Sequence, residues 1–222
     1  GDAQAQLDLG YLYSSGEGAQ KNDAVAAEWF RLSAEQGNPD AQYLLGYVLY
    51  FGLGVPENKE EAAQWYRRAA DQGNVSAQYM LGYMYWHGYG VQKVAEEAVR
   101  WYRSAAEQGH VGAQSFLGRI YSQGEGVRKD DSEAVRWYRL AADQGEAAAQ
   151  SQLGFMYTIG RGVSQDYVEA AQWLRRAADQ GDAGAQSNLG VLRQRPRRVA
   201  ELCRGRPLLP ARRRPGHRGC SV

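Results

Sequence analysis

Residues 1–192 contain no cysteine; the two in the chain, Cys203 and Cys220, fall close to its C-terminal end. Disulfide staples and thiolate metal sites are therefore excluded from that long stretch. No apolar run approaches the ~20 residues a membrane-spanning helix needs. Histidine is scarce, and His87, His110 and His217 each stand alone. A metal site needs several ligands placed together, so none is expected. Nothing arranges serine, histidine and aspartate as nucleophile, base and orienter. No G-K-[ST] follows any glycine-rich turn, as a phosphate-binding loop requires. No catalytic residue and no cofactor are assigned, and the chain is read as a non-enzyme.

Charge of one sign is also missing where it first seems present. The formal net charge is +1, but residues 193–222 hold ten arginines and one glutamate, leaving 16 basic and 24 acidic side chains in 1–192, net −8. Nucleic acid is not expected as a partner of that acidic stretch, because phosphates need Lys and Arg to neutralise them.

What is there is periodic. Gly37, Gly73, Gly109, Gly145 and Gly181 recur every 36 residues. Each precedes an Ala-Gln pair (Ala41-Gln42, Ala77-Gln78 and onward) and then a Leu-Gly pair (Leu45-Gly46, Leu81-Gly82). Trp29, Trp65, Trp101, Trp137 and Trp173 keep the same spacing, as do the G-x-G turns from Gly16/Gly18 to Gly160/Gly162. Such a period is the signature of a stacked repeat architecture.

Each unit reads as two helices. Over residues 40–51, Ala41, Leu45 and Leu49 share a helical face. Asn38 suits the N-cap, Pro39 the first turn, and Gly52 with Gly54 the stop. Over 59–72, Ala62, Trp65, Tyr66, Ala69 and Ala70 form a broad apolar face. Asn58/Glu61, Asp130/Glu133 and Asp166/Glu169 resemble capping boxes, whereas Val94 in the third unit cannot cap. Small residues such as Gly46 let the helices approach, with the indole expected to fill the gap. Truncating such a buried Trp to Ala should cost about 3–5 kcal/mol. The recurring carboxylates Glu35, Asp71, Glu107, Asp143 and Asp179 are read as a solvated, structural set.

The run Leu81-Gly82, Tyr85, Gly88-Tyr89-Gly90-Val91, Ala98, Trp101-Tyr102, Ala105-Ala106, Gln108-Gly109, Ala113-Gln114 resembles the Sel-one-like repeat. The tetratricopeptide repeat is the nearest alternative, with a period of about 34 residues. The resemblance implies an all-α fold: a right-handed superhelical α-solenoid of 36-residue helix-turn-helix repeats. It covers 1–192, as five full helix pairs plus helix A of a sixth. It also implies a scaffold or adaptor that binds a protein or peptide partner. The alternative is an enzyme, a hydrolase of the cysteine-rich branch whose relatives are linked to β-lactam binding, but the units of those relatives are disulfide-stapled and these are not. A cell-wall or carbohydrate module is a further alternative, since aromatics stack on sugars. The chain opens on Gly1 inside a repeat, so it reads as a fragment from which a leader could have been removed, and bacterial cytoplasm and periplasm both stay open.

At Arg193 the pattern stops, and 193–222 is an irregular Arg/Pro-rich tail. With permissible codons, for instance CGC CAA CGG CCG for Arg193 to Pro196, a one-base shift can spell ANGRGVSPNSAEAVRYYRLAADQGTAGAQ. That string continues the sixth repeat slot by slot. Loss of two bases after the Leu192 codon would produce the tail, so it is read as out of frame, in a GC-rich bacterial gene, and not as a basic binding site.

The functional signal lies in what varies. Positions 43, 47 and 50 share a face of helix A opposite the Ala41/Leu45/Leu49 side. In stacked helix pairs of this type that face generally lines the concave groove. It reads Tyr43, Tyr47, Tyr50 and then Tyr79, Tyr83, Trp86, but Ser115, Arg119, Ser122 and Ser151, Phe155, Thr158 further on. Tyr and Trp suit hot spots, offering large area with a polar tip. The six aromatics of the second and third units are the expected partner contacts. Leu44, Val48, Met80, Met84, Phe116 and Ile120 are expected to pack against neighbouring helices.

Overall fold

The computed structural model describes residues 1–193; the tail read as out of frame lies outside the described residues, apart from Arg193 itself. The described residues form eleven α-helices and no strand. Unit 1 comprises α1 (Ala3–Ser15) and α2 (Asp23–Glu35); unit 2, α3 (Pro39–Phe51) and α4 (Lys59–Asp71). Unit 3 comprises α5 (Val75–His87) and α6 (Ala95–Glu107); unit 4, α7 (Val111–Gln123) and α8 (Asp131–Asp143). Unit 5 comprises α9 (Ala147–Ile159) and α10 (Tyr167–Asp179), and α11 (Ala183–Arg193) follows as the A helix of a sixth. Each A helix packs on its own B helix, and each B helix on the next A helix. The fold is an all-α helical repeat of 36-residue units, as the period predicts.

The chain chemistry sets the boundaries. Asn38 caps α3 by accepting from the amides of Asp40 and Ala41, and Pro39 needs no acceptor in the first turn. Gly52 ends α3 at φ 67°, a left-handed conformation that glycine adopts without steric cost. The second glycine of the G-x-G turn has another task. A Cβ on Gly54 would sit 2.2 Å from the Asp23 carbonyl carbon, and one on Gly162 would sit 2.0 Å from the Asp131 oxygen. Each turn therefore lies directly on the backbone that opens the preceding unit's B helix.

The capping boxes are only half built. Asn58 accepts from the Glu61 amide at 3.0 Å, but its own backbone N–H donates to the Leu49 carbonyl at 2.8 Å. Asp130 to Tyr121 and Asp166 to Tyr157 repeat that backbone bond. The amide that a reciprocal box would satisfy is already taken by helix A. Glu61 accepts instead from the Asn58 side-chain amide at 3.3 Å, from Arg31 of the preceding unit at 2.9 Å and from the Trp65 indole. Burial opposes its ionisation, yet those bonds outweigh burial and hold its carboxyl below the usual range. Val94 makes no side-chain cap, as its identity dictates.

The core corrects one packing expectation. The gap over Gly46 is filled by Tyr66, not by the Trp65 indole: a Cβ there would meet the Tyr66 ring at 2.9 Å. Phe30 over Gly10, Tyr102 over Gly82, Tyr138 over Gly118 and Leu174 over Gly154 repeat the arrangement. Trp65, Trp101, Trp137 and Trp173 are buried one position round the helix, each with an arginine against its ring, such as Arg68 at 4.4 Å from Trp65. Trp29 of the first unit is only half-buried.

Buried glutamines tie the units together. Gln42 donates to the Ala34 carbonyl of the preceding B helix at 3.1 Å and accepts from Gln72 of its own B helix at 2.8 Å. Gln78, Gln114 and Gln150 make the same two bonds. The Ala-Gln and Gln-Gly motifs are thus two ends of one three-helix bridge, which leaves no buried amide wanting. A second tie joins Arg67 to the Tyr85 hydroxyl, Arg103 to Tyr121 and Arg139 to Tyr157, always from a B helix to the next A helix.

Candidate functional site

Helix packing decides which A-helix residues remain available. Ala41, Leu45 and Leu49 face the B helices and are buried, as are their counterparts Ala77 and Leu81. Val48, Met84 and Ile120 are buried against neighbours, and Leu44, Met80 and Phe116 are partly buried against the same core. The side left open runs along the remaining stripe of each A helix.

Of the six aromatics expected there, Tyr47 is exposed, and Tyr43, Tyr79, Tyr83 and Trp86 are half-buried. Tyr43 leans on Tyr66 with ring centroids 5.7 Å apart. Tyr79 stacks on His110 at 4.4 Å, and Trp86 meets Phe116 edge-on at 6.0 Å. Tyr50 departs from the expectation: it is only 8% exposed. The turn of unit 3 comes down on it, bringing Tyr89 to 6.4 Å, and Lys59 lies 5.5 Å from its ring. Burial, then the neighbouring Tyr83 and Tyr89, push its hydroxyl up to about 12. Tyr50 supports the surface from beneath and offers little to a partner.

The face also contains residues that the positions 43, 47 and 50 do not reach. Phe51 is 50% exposed and packs on Tyr47 at 4.6 Å. Tyr89, the middle residue of a G-x-G turn, is exposed and lies 5.9 Å from Tyr83 and 5.3 Å from His87. Tyr83 lies 4.3 Å from His87. Rings thus run without a break from Tyr43 through Tyr47, Phe51, Tyr50 and Tyr89 to Tyr83 and His87. The signal was readable: position 51 varies as Ser15, Phe51, His87, Gln123, Ile159, and the turn residue as Glu17, Leu53, Tyr89, Glu125, Arg161. Comparing the last residue of helix A and the middle residue of the turn between units finds both.

Beneath this face the Tyr66 and Tyr102 hydroxyls are buried without a hydrogen-bond partner, and burial pushes both well above the ordinary phenol value. His87 is held below the usual imidazole value by burial and then by the positive charges of Arg119 and Lys93. Burial lowers His110 too, and its Nδ1 caps α7 by accepting from the Ala113 amide. No group of three or more His, Cys, Asp or Glu able to hold a metal occurs among the described residues, and none of their helices is long and apolar enough to cross a membrane. On the B side the surface dips between α8 and α10, where Arg139, Asp143, Asp166 and Glu169 line a cleft whose arginine is committed to Tyr157.

Comparison with known proteins agrees with this architecture. A family model described as Sel1 repeat matches residues 3–38, 39–74, 75–110, 111–146 and 147–182. The chain is 39% identical to c5321, a protective antigen of uropathogenic Escherichia coli with an SLR fold (TM-score 0.84, 86% of this chain). It spans 41% of the length of c5321. A Sel1 repeat protein from Oxalobacter formigenes is also 39% identical, over 84% of this chain and 76% of that one, with a TM-score of 0.79. The immunity protein Pa5087 of Pseudomonas aeruginosa, 21% identical over 82% of this chain and 67% of that one, shares the fold alone, with a TM-score of 0.50. A search of curated proteins finds no match.

Proposed function

The chain belongs to the Sel1 repeat family, whose members are typically protein-interaction scaffolds and generally non-enzymatic, and on that premise we propose that it grips a partner protein segment along its A-helix face. The contacts are Tyr43, Tyr47, Phe51, Tyr79, Tyr83, Trp86 and Tyr89. Tyr50 backs them from below. In a stack of this kind that face forms the concave groove, and a groove lets one extended segment touch several units at once. The observation that carries the reading is the unbroken run of rings across units 2 and 3, in slots filled by Arg119, Gln123 and serines in unit 4. Phe51 rests on Tyr47 and Tyr50 yet leaves half of its surface open to solvent. Large exposed rings in a contiguous patch mark interaction sites.

The test compares the chain with a Tyr47→Ala/Phe51→Ala/Tyr83→Ala/Trp86→Ala variant. Each is used to capture proteins from a bacterial lysate, and the captured protein is then made pure and titrated against both. Circular dichroism confirms that the variant keeps its helices. Saturable binding by the parent and loss in the folded variant supports the reading. Equal binding by both sends the site to the B helices or the turns.

A further inference from the structure

We infer that the A-helix face reads an acidic segment, with Arg119 receiving a carboxylate one unit beyond the aromatic run that holds the segment's apolar side chains. The inference rests on the groove reading above and adds the chemistry and direction of the partner.

Charge on the A helices is sparse and one-sided. Across α1, α3, α5, α7 and α9 the only acids are Asp8 and Asp40, and the only lysine or arginine is Arg119. Asp8 accepts from Gln4 and Asp40 from Asn74, so both carry a partner within the protein. Arg119 occupies on α7 the slot held by Tyr47 on α3, Tyr83 on α5 and Phe155 on α9. It is exposed, and among the described residues it forms no ion pair. Arg31 and Arg161, by contrast, are paired with Glu61 and Asp131, and the ring-stacked Arg68 and Arg176 lie on B helices.

The guanidinium lies over the Phe116 ring, its carbon 4.1 Å from the centroid. A guanidinium over an aromatic face still has an N–H edge to offer, and such an edge matches a carboxylate with two parallel bonds. Phe116 in turn meets Trp86 at 6.0 Å, so the charge sits at the border of the aromatic patch. Its positive field reaches Tyr79 and Tyr102, and with Lys93 it reaches His87. A partner running along the face therefore meets Asp40 at the start of unit 2, rings over units 2 and 3, and an unpaired cation over unit 4. An apolar segment carrying a carboxylate at its unit-4 end complements that order; the reverse order places like charges together.

The test is selection from a displayed library of random peptides about twelve residues long, a length that spans several units when extended. The full chain, Arg119→Ala, Arg119→Glu and the four-residue aromatic variant are screened in parallel. The inference expects Asp or Glu at a fixed offset from an aromatic or aliphatic residue. Arg119→Ala should weaken the selected peptide roughly tenfold, the usual scale for one charge-assisted pair. Arg119→Glu should lose the acidic enrichment and favour Lys or Arg. Amidated and free-acid forms of the selected peptide separate a side-chain carboxylate from a chain terminus. Peptides without acidic enrichment that still need the aromatic residues overturn the carboxylate assignment and leave the groove reading standing. Peptides that bind the aromatic variant equally well, or no enrichment over an empty support, overturn both.

Discussion

Units 2 and 3 and units 4 and 5 are built on the same interior and carry different exteriors. Leu45, Leu81, Leu117 and Leu153 are equally inaccessible, and Gly46, Gly82, Gly118 and Gly154 all take a side chain of the B helix against the backbone. Outside, Tyr47, Phe51, Tyr83 and His87 give way to Arg119, Gln123, Phe155 and Ile159. The slots that face a neighbour inside the stack are held by that neighbour in every unit. The slots that face away are held less tightly by the rest of the chain, and their divergence between units is what singles out the proposed contacts.

The comparison can be broken most forcefully from the inside. Tyr66→Ala and Tyr138→Ala should each cost about 3–5 kcal/mol, because both remove a buried ring seated on glycine. Urea titrations followed by circular dichroism should show similar losses in the two halves; a large inequality would mean the interiors are not equivalent. Next come the glycines. Gly162→Ala should destabilise well beyond the about 1–2 kcal/mol that positive φ alone costs an alanine, since its Cβ would meet the Asp131 oxygen at 2.0 Å. Gly181→Ala, at φ 90° with open space around it, should show only the conformational part. Gln114→Ala leaves the Ala106 carbonyl and Gln144 without their buried partner and should cost about 1–3 kcal/mol, read from the melting midpoint.

The exterior is the other half of the comparison. Phe51→Ala and Ile159→Ala should each change stability by no more than about 0.5 kcal/mol, the range of exposed sites. Phe51→Ala should nonetheless weaken partner binding by about 2 kcal/mol if it behaves as a hot spot, whereas Ile159→Ala should leave calorimetric affinity unchanged. The smallest effect concerns the end of the stack. The helix α11 has no B helix beside it among the described residues, and Val191 is 50% exposed. The bases of the gene should spell the continued repeat in the other frame, and restoring two bases after the Leu192 codon should raise the melting midpoint by covering α11.

The period alone locates the helices to within a residue or two, because caps and stops are local chemistry: Asn38, Pro39 and Gly52 act where they stand. It does not tell which of two adjacent aromatics sits on Gly46. Trp65 and Tyr66 both face inward, and the choice between them depends on the depth of a gap that only packing defines. Nor does it show that Asn58 spends its amide on Leu49, a bond between helices with no sequence signature. The candidate site is partly legible for the same reason. Tyr47 and Tyr83 follow from helical geometry, while the burial of Tyr50 follows from a turn belonging to the next unit. Phe51 and Tyr89 lie where the helical reading stops.

The glutamine bridge has a consequence for ancestry. Gln42 reaches back eight residues to Ala34 and is met by Gln72, thirty residues on, and Gln78, Gln114 and Gln150 reach the same distances. Copying or excising a 36-residue block therefore hands each severed glutamine bond an equivalent successor. Such a gene can grow or shrink by unequal recombination without a new interface having to arise, and each fresh copy arrives with its outer slots free to diverge.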